Sequence, residues 1–380
     1  MSAAAIVRVP TEAETIPYTG AIIRSAREIA AQTGFVQTIA GVRDGRDPQF
    51  FLASISAHGW RPCVVVVSQG PRIAGLFYAK ERVLAGVGTR VAFGDDAFNA
   101  MVVAAEEDRE AVFLCAVEAL LGHMFGLRLV VPSAWLPLFE KIGASADVEI
   151  RAARRHANLS LQPTYEAFLA RLGPRTRRNL RYYRRRIERA GHRFVAELSF
   201  SEFAAVARRM FPNSAYAFSR PNLERCLAMI EAAPYPILLG LRTNEGEWMS
   251  LAGGWYQGDR AILLTQLNLR TYTRESVSLV MRSYLIEMLI GRGVRELIFW
   301  EGTSAPLCFY AEFPHVSRVY VDAPLLPWRV LRACCGVAAK LLPAQNGKLL
   351  KWIAPNGDGH GAPSASGHPL RSSESSDACN

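Results

Sequence analysis

Residues 175–191 have the sequence RTRRNLRYYRRRIERAG, in which eight of seventeen residues are arginine and one is acidic. An apolar stripe runs through this stretch at helical spacing, formed by Leu180, Tyr183, Ile187 and Ala190. We therefore predict a helix over 175–190 that packs on the protein, with Thr176 as N-cap and Gly191 in a left-handed C-terminal cap. Its arginines could form a solvated face, a nucleic-acid or membrane-binding face, or one wall of an anion-binding enzyme site.

The chain as a whole is long and basic. It has 380 residues, of which half are apolar, a formal net charge of +10 and a pI of about 9.4. This length predicts two domains, or one domain with a tail, and a core of useful size. The charge favours anionic partners, namely phosphates, nucleic acid or an acidic membrane surface, without choosing among them.

The cysteines and the N-terminus point to a reduced compartment. Seven cysteines are present and none forms a CxxC pair, so no zinc or disulfide framework is predicted. The N-terminus lacks a basic segment followed by an apolar run, and no apolar run reaches about 18 residues. We expect a cytoplasmic protein without a metal site or a transmembrane helix, with peripheral association at the inner membrane face as a further expectation.

The order of predicted elements is similar in the two halves of the chain. Each half has a strand hairpin, a strand, a helix and further strands, which include a strand over 148–161 in the first half and a strand over 317–322 in the second. This weak internal repeat divides the chain into modules over 1–160 and 161–325. An apolar and basic helix over 326–343 and a disordered tail over 344–380, rich in Gly, Ser and Pro, complete the prediction.

A family resemblance appears around the arginine-rich stretch. EAFLARLGPRTRRNLRYYRRRIERAGHRF, residues 166–194, resembles the hallmark of CelD-type, cellulose-biosynthesis-associated (BioF2-like) acetyltransferases of the GNAT superfamily. The matching positions are Arg175, Arg178, Asn179, Leu180, Arg181 and Gly191. CVVVVSQGPRIAGLFYAKER, residues 63–82, resembles the hairpin of that family, with Gly75 in the glycine position. The similarity extends over roughly 50–325 as a pattern of elements.

This resemblance implies a fold and a function. The fold is α/β (α+β), with two tandem GNAT-like modules, each a mixed, mostly antiparallel sheet flanked by helices. It also implies a relation to Fem-type aminoacyl transferases, a degenerate first module, and a second module that transfers an acyl group from acetyl-CoA or another acyl-CoA. The acceptor would be the amine or hydroxyl of a sugar or of an exopolysaccharide or envelope precursor.

In a GNAT module the acyl-CoA lies between two separating strands, with its pyrophosphate at the start of the next helix. Here that junction is the strand over 261–269, the loop NLRTYTRES over 268–276 and the helix over 276–290. The predicted donor-binding residues are Gln266, Asn268, Arg270, Thr271, Thr273, Arg274 and Ser276. An anion or substrate would contact Arg175, Arg178, Asn179 and Arg181 on the basic helix.

Acyl transfer also needs a general base for the acceptor. Glu301 follows the predicted strand over 296–300 and is the candidate base, and Tyr310 in FWEGTSAPLCFYAEF is the candidate acid. Three alternatives stay open: a Fem-like transferase that uses aminoacyl-tRNA and faces RNA with its arginines, a non-catalytic GNAT-like scaffold at the membrane, and a plain nucleic-acid-binding protein.

Overall fold

The computed structural model describes residues 16–40, 46–56, 59–84, 86–95, 101–142, 146–153, 156–215, 219–300, 302–303 and 306–323. The predicted helix over 326–343 and the predicted tail over 344–380 lie outside these described residues. The strands are β1 (Tyr18–Ile23), β2 (Trp60–Gln69), β3 (Arg72–Leu84), β4 (Val87–Asp95), β5 (Val102–Ala104), β6 (Gly126–Pro132), β7 (Asp147–Ala153), β8 (Ala157–Ser160), β9 (Arg193–Val195), β10 (Pro236–Arg242), β11 (Trp248–Gln257), β12 (Arg260–Asn268), β13 (Glu296–Phe299) and β14 (Val316–Asp322). The helices are α1 (Ala26–Ala30), α2 (Thr33–Ala40), α3 (Pro48–Ser54), α4 (Arg109–Leu121), α5 (Leu136–Ile142), α6 (Tyr165–Arg171), α7 (Pro174–Arg189), α8 (Phe200–Met210), α9 (Arg220–Ala232) and α10 (Val277–Gly291).

The strands form two sheets. The first has eight strands in the order β1-β2-β3-β4-β6-β14-β7, with β5 paired to β3, and the second has six in the order β8-β13-β12-β11-β10-β9. Neighbouring strands are antiparallel except for β4 with β6 and β12 with β13. Helices flank both sheets, which confirms the predicted class of two mixed, mostly antiparallel sheets flanked by helices.

Two strands lie in a different sheet from the one that their place in the chain suggested. The predicted strand over 148–161 is two strands, of which β7 stays in the first sheet and β8 pairs with β13 in the second. The predicted last strand of the second module, β14, inserts between β6 and β7 of the first sheet. In the first sheet β6 pairs with β4 on one side, and in the second sheet β13 pairs with β12 on one side. The backbone N–H and C=O groups on the other side of β6 and of β13 also need hydrogen-bond partners, which a second neighbouring strand provides. The other half of the chain supplies that neighbour, so sheet membership does not follow the predicted boundary between 160 and 161.

Each sheet has its own apolar core, and a smaller cluster joins them. In the first sheet, Phe77 packs against Phe113 of α4. In the second, α6, α7 and α10 cover one face, while α8 and α9 cover the other. Phe50 of α3 lies edge-on to Trp255 of β11 with ring centroids 5.0 Å apart, in a cluster that also holds Met229 of α9. This cluster fixes the position of the two sheets relative to each other.

Helix α7 is the predicted basic helix. Leu180 and Ile187 are buried in the core of the second sheet, as the apolar stripe predicts, whereas Ala190 is exposed. Gly191 has φ +73°, which confirms the left-handed cap. The predicted N-cap Thr176 is wrong, because the helix begins two residues earlier at Pro174, whose fixed φ suits the first helical position.

Arg184 joins α7 to α10. Its Nε donates to Glu188 at 3.0 Å, its Nη2 lies 2.6 Å from Glu287 of α10, and its guanidinium stacks over Tyr284 of α10 with the ring centroid at 4.2 Å. Burial alone would lower the pKa of Arg184, but hydrogen bonds to the two glutamates raise it overall. Burial and the hydrogen bond to Glu188 raise the pKa of Tyr284. This cluster holds α7 beside α10, and the remaining arginines of α7 are therefore presented from a fixed helix.

Candidate functional site

Strands β12 and β13 are paired over only part of the length of β12. Their parallel pairing joins residues 260–263 to residues 296–299, and a last bond runs from Trp300 N–H to the carbonyl of Leu263 at 3.1 Å. β12 then continues to Asn268, whereas the chain after β13 turns at Gly302, which has φ +85°. On this side, in the described residues, no strand pairs with positions 264–267, and the carbonyl of Asn268 accepts from Ala215 N–H at 2.8 Å, so a gap opens between the two strands over 264–267.

A β-bulge determines which side chains of β12 face α10. Leu264 is the extra residue in the pairing of β12 with β11. Before the bulge, Leu263 packs in the core beneath α10. After it, Gln266 faces α10 and donates from Nε2 to the carbonyl of Ser278 at 3.2 Å. Because strand side chains alternate with a period of two, an unbulged β12 would turn Thr265 toward α10 instead.

A chain of polar side chains crosses the sheet beside this gap. Ser250 of β11 donates to Asn268 Oδ1 at 2.7 Å, and Gln266 Nε2 donates to the same oxygen at 3.1 Å. Arg282 of α10 then donates from Nε to Gln266 Oε1 at 2.9 Å and from Nη1 to Thr303 Oγ1 at 2.5 Å. Arg282 thus connects β12 to the segment that follows β13, across the opening of the gap.

The first turns of α7 and α10, together with residues 306–309, enclose a cavity of about 540 Å³. Its polar lining consists of Arg175, Thr176, Asn179, Ser276, Ser278 and Arg282, and its apolar lining of Tyr183, Leu279, Pro306, Leu307 and Phe309. Among these described residues there are two arginines and no carboxylate. The cavity therefore offers hydrogen-bond donors and positive charge to an anionic group.

The start of α10 adds backbone donors to this cavity. Ser276 has φ 51° and ψ 38°, a left-handed conformation that glycine adopts more easily and that often marks functional sites. Its carbonyl accepts from the N–H groups of Leu279 and Val280. In the described part of the chain, the N–H groups of Val277 and Ser278 are left as first-turn donors at the positive end of the helix dipole.

The outer face of α7 forms a second concave surface of about 700 Å³, which we call the arginine groove. Its lining is Pro174, Arg177, Arg178, Arg181, Tyr182, Arg185, Arg186 and Arg189. Arg181 pairs with Glu166 at 2.8 Å, and Arg186 lies 3.9 Å from Glu275. Tyr182 is 58% exposed beside these arginines. The groove therefore combines surplus positive charge with an accessible aromatic ring.

The structure brings some of the predicted site residues together. Arg175 and Asn179 from the basic helix and Ser276 from the predicted donor loop line the same cavity, although about a hundred residues of sequence separate the two segments. Arg178 and Arg181 instead line the arginine groove on the outer face of α7.

The other predicted donor-loop residues do not line the cavity. Arg270 Nε donates to the carbonyl of Ser214 at 2.9 Å, which ties the loop to the segment after α8. Thr273 Oγ1 donates to the carbonyl of Arg270, and Thr271 and Arg274 are exposed. The residues 270–275 form a short 3-10 turn that carries these side chains outward. Gln266 and Asn268 lie beneath the cavity, where they support Arg282.

Of the two predicted catalytic residues, only Tyr310 lies within the described residues. Tyr310 lies next to the cavity wall, and its hydroxyl accepts a hydrogen bond from Gly173 N–H at 2.7 Å, just before α7 begins. This contact ties residues 306–310 to the first turn of α7, so the structure gives Tyr310 a positioning contact. Glu301 lies outside the described residues and stays a prediction.

The sequence predicted backbone N–H groups up to Ser278 as donors at the helix start, but it did not predict the side chains of Ser278 and Arg282 as site residues. A signal for Arg282 exists, because it is the one charged residue between Val277 and Ile286 of an otherwise apolar helix. Ser278 lies four residues before Arg282, on the same helix face. Only the position of α7 across the cavity shows that this face is a wall of the site.

Two features are absent from the described residues. No helix there is long and apolar enough to cross a membrane. No group of three or more His, Cys, Asp or Glu side chains in that part of the chain could hold a metal ion.

Comparison with known proteins identifies the fold. No family model and no curated protein matches the chain. The chain resembles the C-terminal domain (DUF2156) of a candidate lysylphosphatidylglycerol synthetase from Agrobacterium fabrum, at a TM-score of 0.53 and 14% identity over 79% of this chain and 93% of that one. It resembles FemX at a TM-score of 0.52 and 10% identity over 79% and 96% of the two chains. It also resembles a conserved Bacteroides thetaiotaomicron protein of unknown function, at a TM-score of 0.54 and 12% identity over 80% of this chain and 100% of that one. At these identities the likeness shows that the chain shares the fold of FemX and of the lysylphosphatidylglycerol synthetase domain, whereas placement in the CelD-like family of the GNAT superfamily stays a prediction.

Proposed function

We propose that the chain is an acyl-CoA-dependent acyltransferase that binds its donor in the second sheet. The observation that carries this proposal is the gap between β12 and β13, which opens beside a cavity at the start of α10 whose described lining residues include no carboxylate. A gap between parallel strands exposes backbone N–H and C=O groups, and these can pair with the amides of a pantetheine arm. The acceptor would be a sugar or an envelope or exopolysaccharide precursor, as the family resemblance implies.

The donor phosphates would bind at the mouth of the cavity. The N–H groups of Val277 and Ser278 and the guanidinium of Arg175 offer the combination of helix N-terminus and cation that binds phosphate groups in other proteins. Ser276 and Asn179 can add hydroxyl and amide donors. Glu301 remains the proposed general base for direct transfer to the acceptor.

Within the described residues, the start of α4 in the first sheet does not offer a comparable donor site. At the start of α4, which follows β5 as α10 follows β12, the N-cap residue is Asp108, whose carboxylate places a negative charge near the helix end without bonding the helix N–H groups. Asp108 accepts from Tyr18 at 2.7 Å and from Arg72 at 2.9 Å. Burial and the hydrogen bond to Asp108 raise the pKa of Tyr18 to about 12, so this pair stays hydrogen-bonded at neutral pH. A second anion there would meet like charge, which supports a donor site in the second module only.

Replacing Arg175 by Ala tests the donor site. We expect Arg175→Ala to weaken acetyl-CoA binding about tenfold, roughly 1.4 kcal/mol, because it removes one charge-assisted contact to phosphate. Isothermal titration calorimetry measures this, with Arg193→Ala, an exposed arginine on β9, as the matched control. Equal affinity of wild type and Arg175→Ala contradicts the placement of the phosphates, and absence of binding to wild type contradicts the acyl-CoA donor.

A second candidate function is transfer from aminoacyl-tRNA. The observation that favours it is the arginine groove. Its lining includes six arginines, which is more positive charge than the phosphates of a single coenzyme require, and a nucleic-acid base could stack on the exposed ring of Tyr182. The implied relation to Fem-type aminoacyl transferases agrees with this donor. Such binding depends on phosphate contacts and weakens steeply as salt increases.

Removal of charge from the groove tests this second candidate. We expect the triple variant Arg178→Gln, Arg185→Gln, Arg189→Gln to bind bulk tRNA less tightly and to reduce the slope of log affinity against log salt by about 2 to 3. Fluorescence anisotropy across a salt series measures both quantities. A control triple variant, Arg27→Gln, Arg193→Gln, Arg318→Gln, loses equal charge elsewhere. Identical slopes for the two variants would mean non-specific attraction and reject the groove as an RNA-binding surface.

A further inference from the structure

Arg282 is located where β12 and β13 separate. Its guanidinium carbon lies 5.2 Å from the ring centroid of Phe299, the last residue of β13, which pairs with Leu263 at the end of the parallel ladder. Arg282 also lines the cavity between α7 and α10. It therefore stands between the apex of the gap and the cavity that opens from it.

The surroundings of Arg282 hold its guanidinium in one orientation. Nε donates to Gln266 Oε1 at 2.9 Å, Nη1 donates to Thr303 Oγ1 at 2.5 Å, and the guanidinium carbon lies over the Phe299 ring. Gln266 is in turn fixed by Ser278 and Asn268. A cation that is already oriented pays little reorganisation free energy when charge develops beside it.

The polar chain that supports Arg282 is unusual for a sheet interior. Asn268 is 5% exposed, and its Nδ2 has no hydrogen-bond partner among the described residues, although its Oδ1 accepts from both Ser250 and Gln266. Burying polar groups costs free energy that apolar residues would not cost, so such chains persist mainly where they perform a task. The bulge at Leu264 is what turns Gln266 toward Arg282.

The geometry points to Arg282 as the residue that binds the carbonyl oxygen of the transferred acyl group and stabilises the oxyanion formed during transfer. This inference rests on the proposed function, because it places the acyl end of the donor at the apex of the β12–β13 gap. It assigns a reaction role to a residue that no sequence motif marks.

The chemical step is an addition followed by an elimination. The lone pair of the acceptor nitrogen, or of water when no acceptor is present, forms a bond to the acyl carbon, and the C=O π pair moves onto oxygen beside Arg282. When this pair returns, the bond from carbon to the leaving sulfur or oxygen breaks with its electrons. The proton lost by the nucleophile ends on that leaving atom, so the products are the acylated acceptor and a free thiol or hydroxyl.

Turnover of the donor without acceptor tests this role. Wild type, Arg282→Gln, Arg282→Lys and the control Arg318→Gln, an exposed arginine of β14, are compared for thiol release from acetyl-CoA and for deacylation of bulk aminoacyl-tRNA. Loss of one oxyanion donor typically costs about 100-fold or more in kcat. We expect that loss in Arg282→Gln with a KM for the donor within about threefold of wild type, and a smaller loss in Arg282→Lys, which keeps the charge.

Gln266→Leu distinguishes this role from a structural one. We expect the single substitution Gln266→Leu to lower kcat relative to wild type. Added to Arg282→Gln it should have no further effect on kcat, because Gln266 acts only by orienting the Arg282 guanidinium. Thermal unfolding checks that each variant folds, and if Arg282→Gln does not, Arg282→Lys decides. A kcat equal to wild type in the folded Arg282 variant, or an increase in KM alone, overturns the inference while the proposed function stands. A wild type that turns over neither donor overturns the inference, and a wild type that also binds neither donor overturns the proposed function as well.

Discussion

A Gly254→Ala variant is expected to lose about 3 kcal/mol or more of unfolding free energy and the donor gap with it. A Cβ at position 254 would lie 1.8 Å from the carbonyl oxygen of Ile262 and 3.1 Å from the Cα of Leu263. Both are backbone atoms of β12, so no side-chain rotation can relieve the overlap. β11 must move away from β12 at the bulge, and Gln266 then loses the position from which it supports Arg282.

Urea unfolding and acetyl-CoA titration measure the two effects of Gly254→Ala. The matched control is Gly291→Ala at the end of α10, where an added Cβ meets nothing within 4 Å and alanine favours the helix. We expect the control to keep both stability and binding. A Gly254→Ala protein with wild-type stability and binding contradicts the role assigned to the bulge.

The second large effect is expected at Val319 of β14. Val319 is 1% exposed in the core of the first sheet, between Leu129 of β6 and Ile150 of β7. Val319→Asp would place an unpaired carboxylate in that core, which we expect to cost about 4 kcal/mol or more. Although position 319 belongs to the predicted second module, the first sheet should lose its structure.

Amide hydrogen exchange locates this effect. In Val319→Asp we expect faster exchange at Leu129 and neighbouring residues of β6, with the smaller change at Leu239 in β10 of the second sheet. Arg318→Asp is the control, because its side chain is exposed on the same strand. Loss of protection confined to the second sheet would contradict the exchange of strands between the halves.

Local patterns predicted much of the fold. The apolar stripe of α7 identifies the helix and its buried side, because Leu180 and Ile187 can be buried together only at helical spacing. The β-branched run before Gln69 and the turn after it identify the hairpin of β2 and β3. In each of these elements, the information lies within a few residues of the structure it forms.

The features that the sequence did not predict depend on pairing between residues far apart in the chain. β14 has the same local pattern whether it pairs in the first sheet or the second, so nothing within the strand reveals the exchange. The extra residue Leu264 is likewise invisible until β11 is aligned with β12, yet it decides that Gln266 faces α10. The resemblance predicted Ser276 as a donor-binding residue and Arg175 as an anion- or substrate-binding residue, whereas Arg282 required the position of α7 across the cavity.

A crystal structure of the chain with a non-hydrolysable thioether analogue of acetyl-CoA tests the central claim most directly. We expect the pantetheine arm between residues 264–267 of β12 and the segment after β13, with phosphates at the N–H groups of Val277 and Ser278 and the acyl oxygen beside Arg282. Coenzyme bound at the first sheet or in the arginine groove would contradict the account, and so would an analogue that does not bind at millimolar concentration.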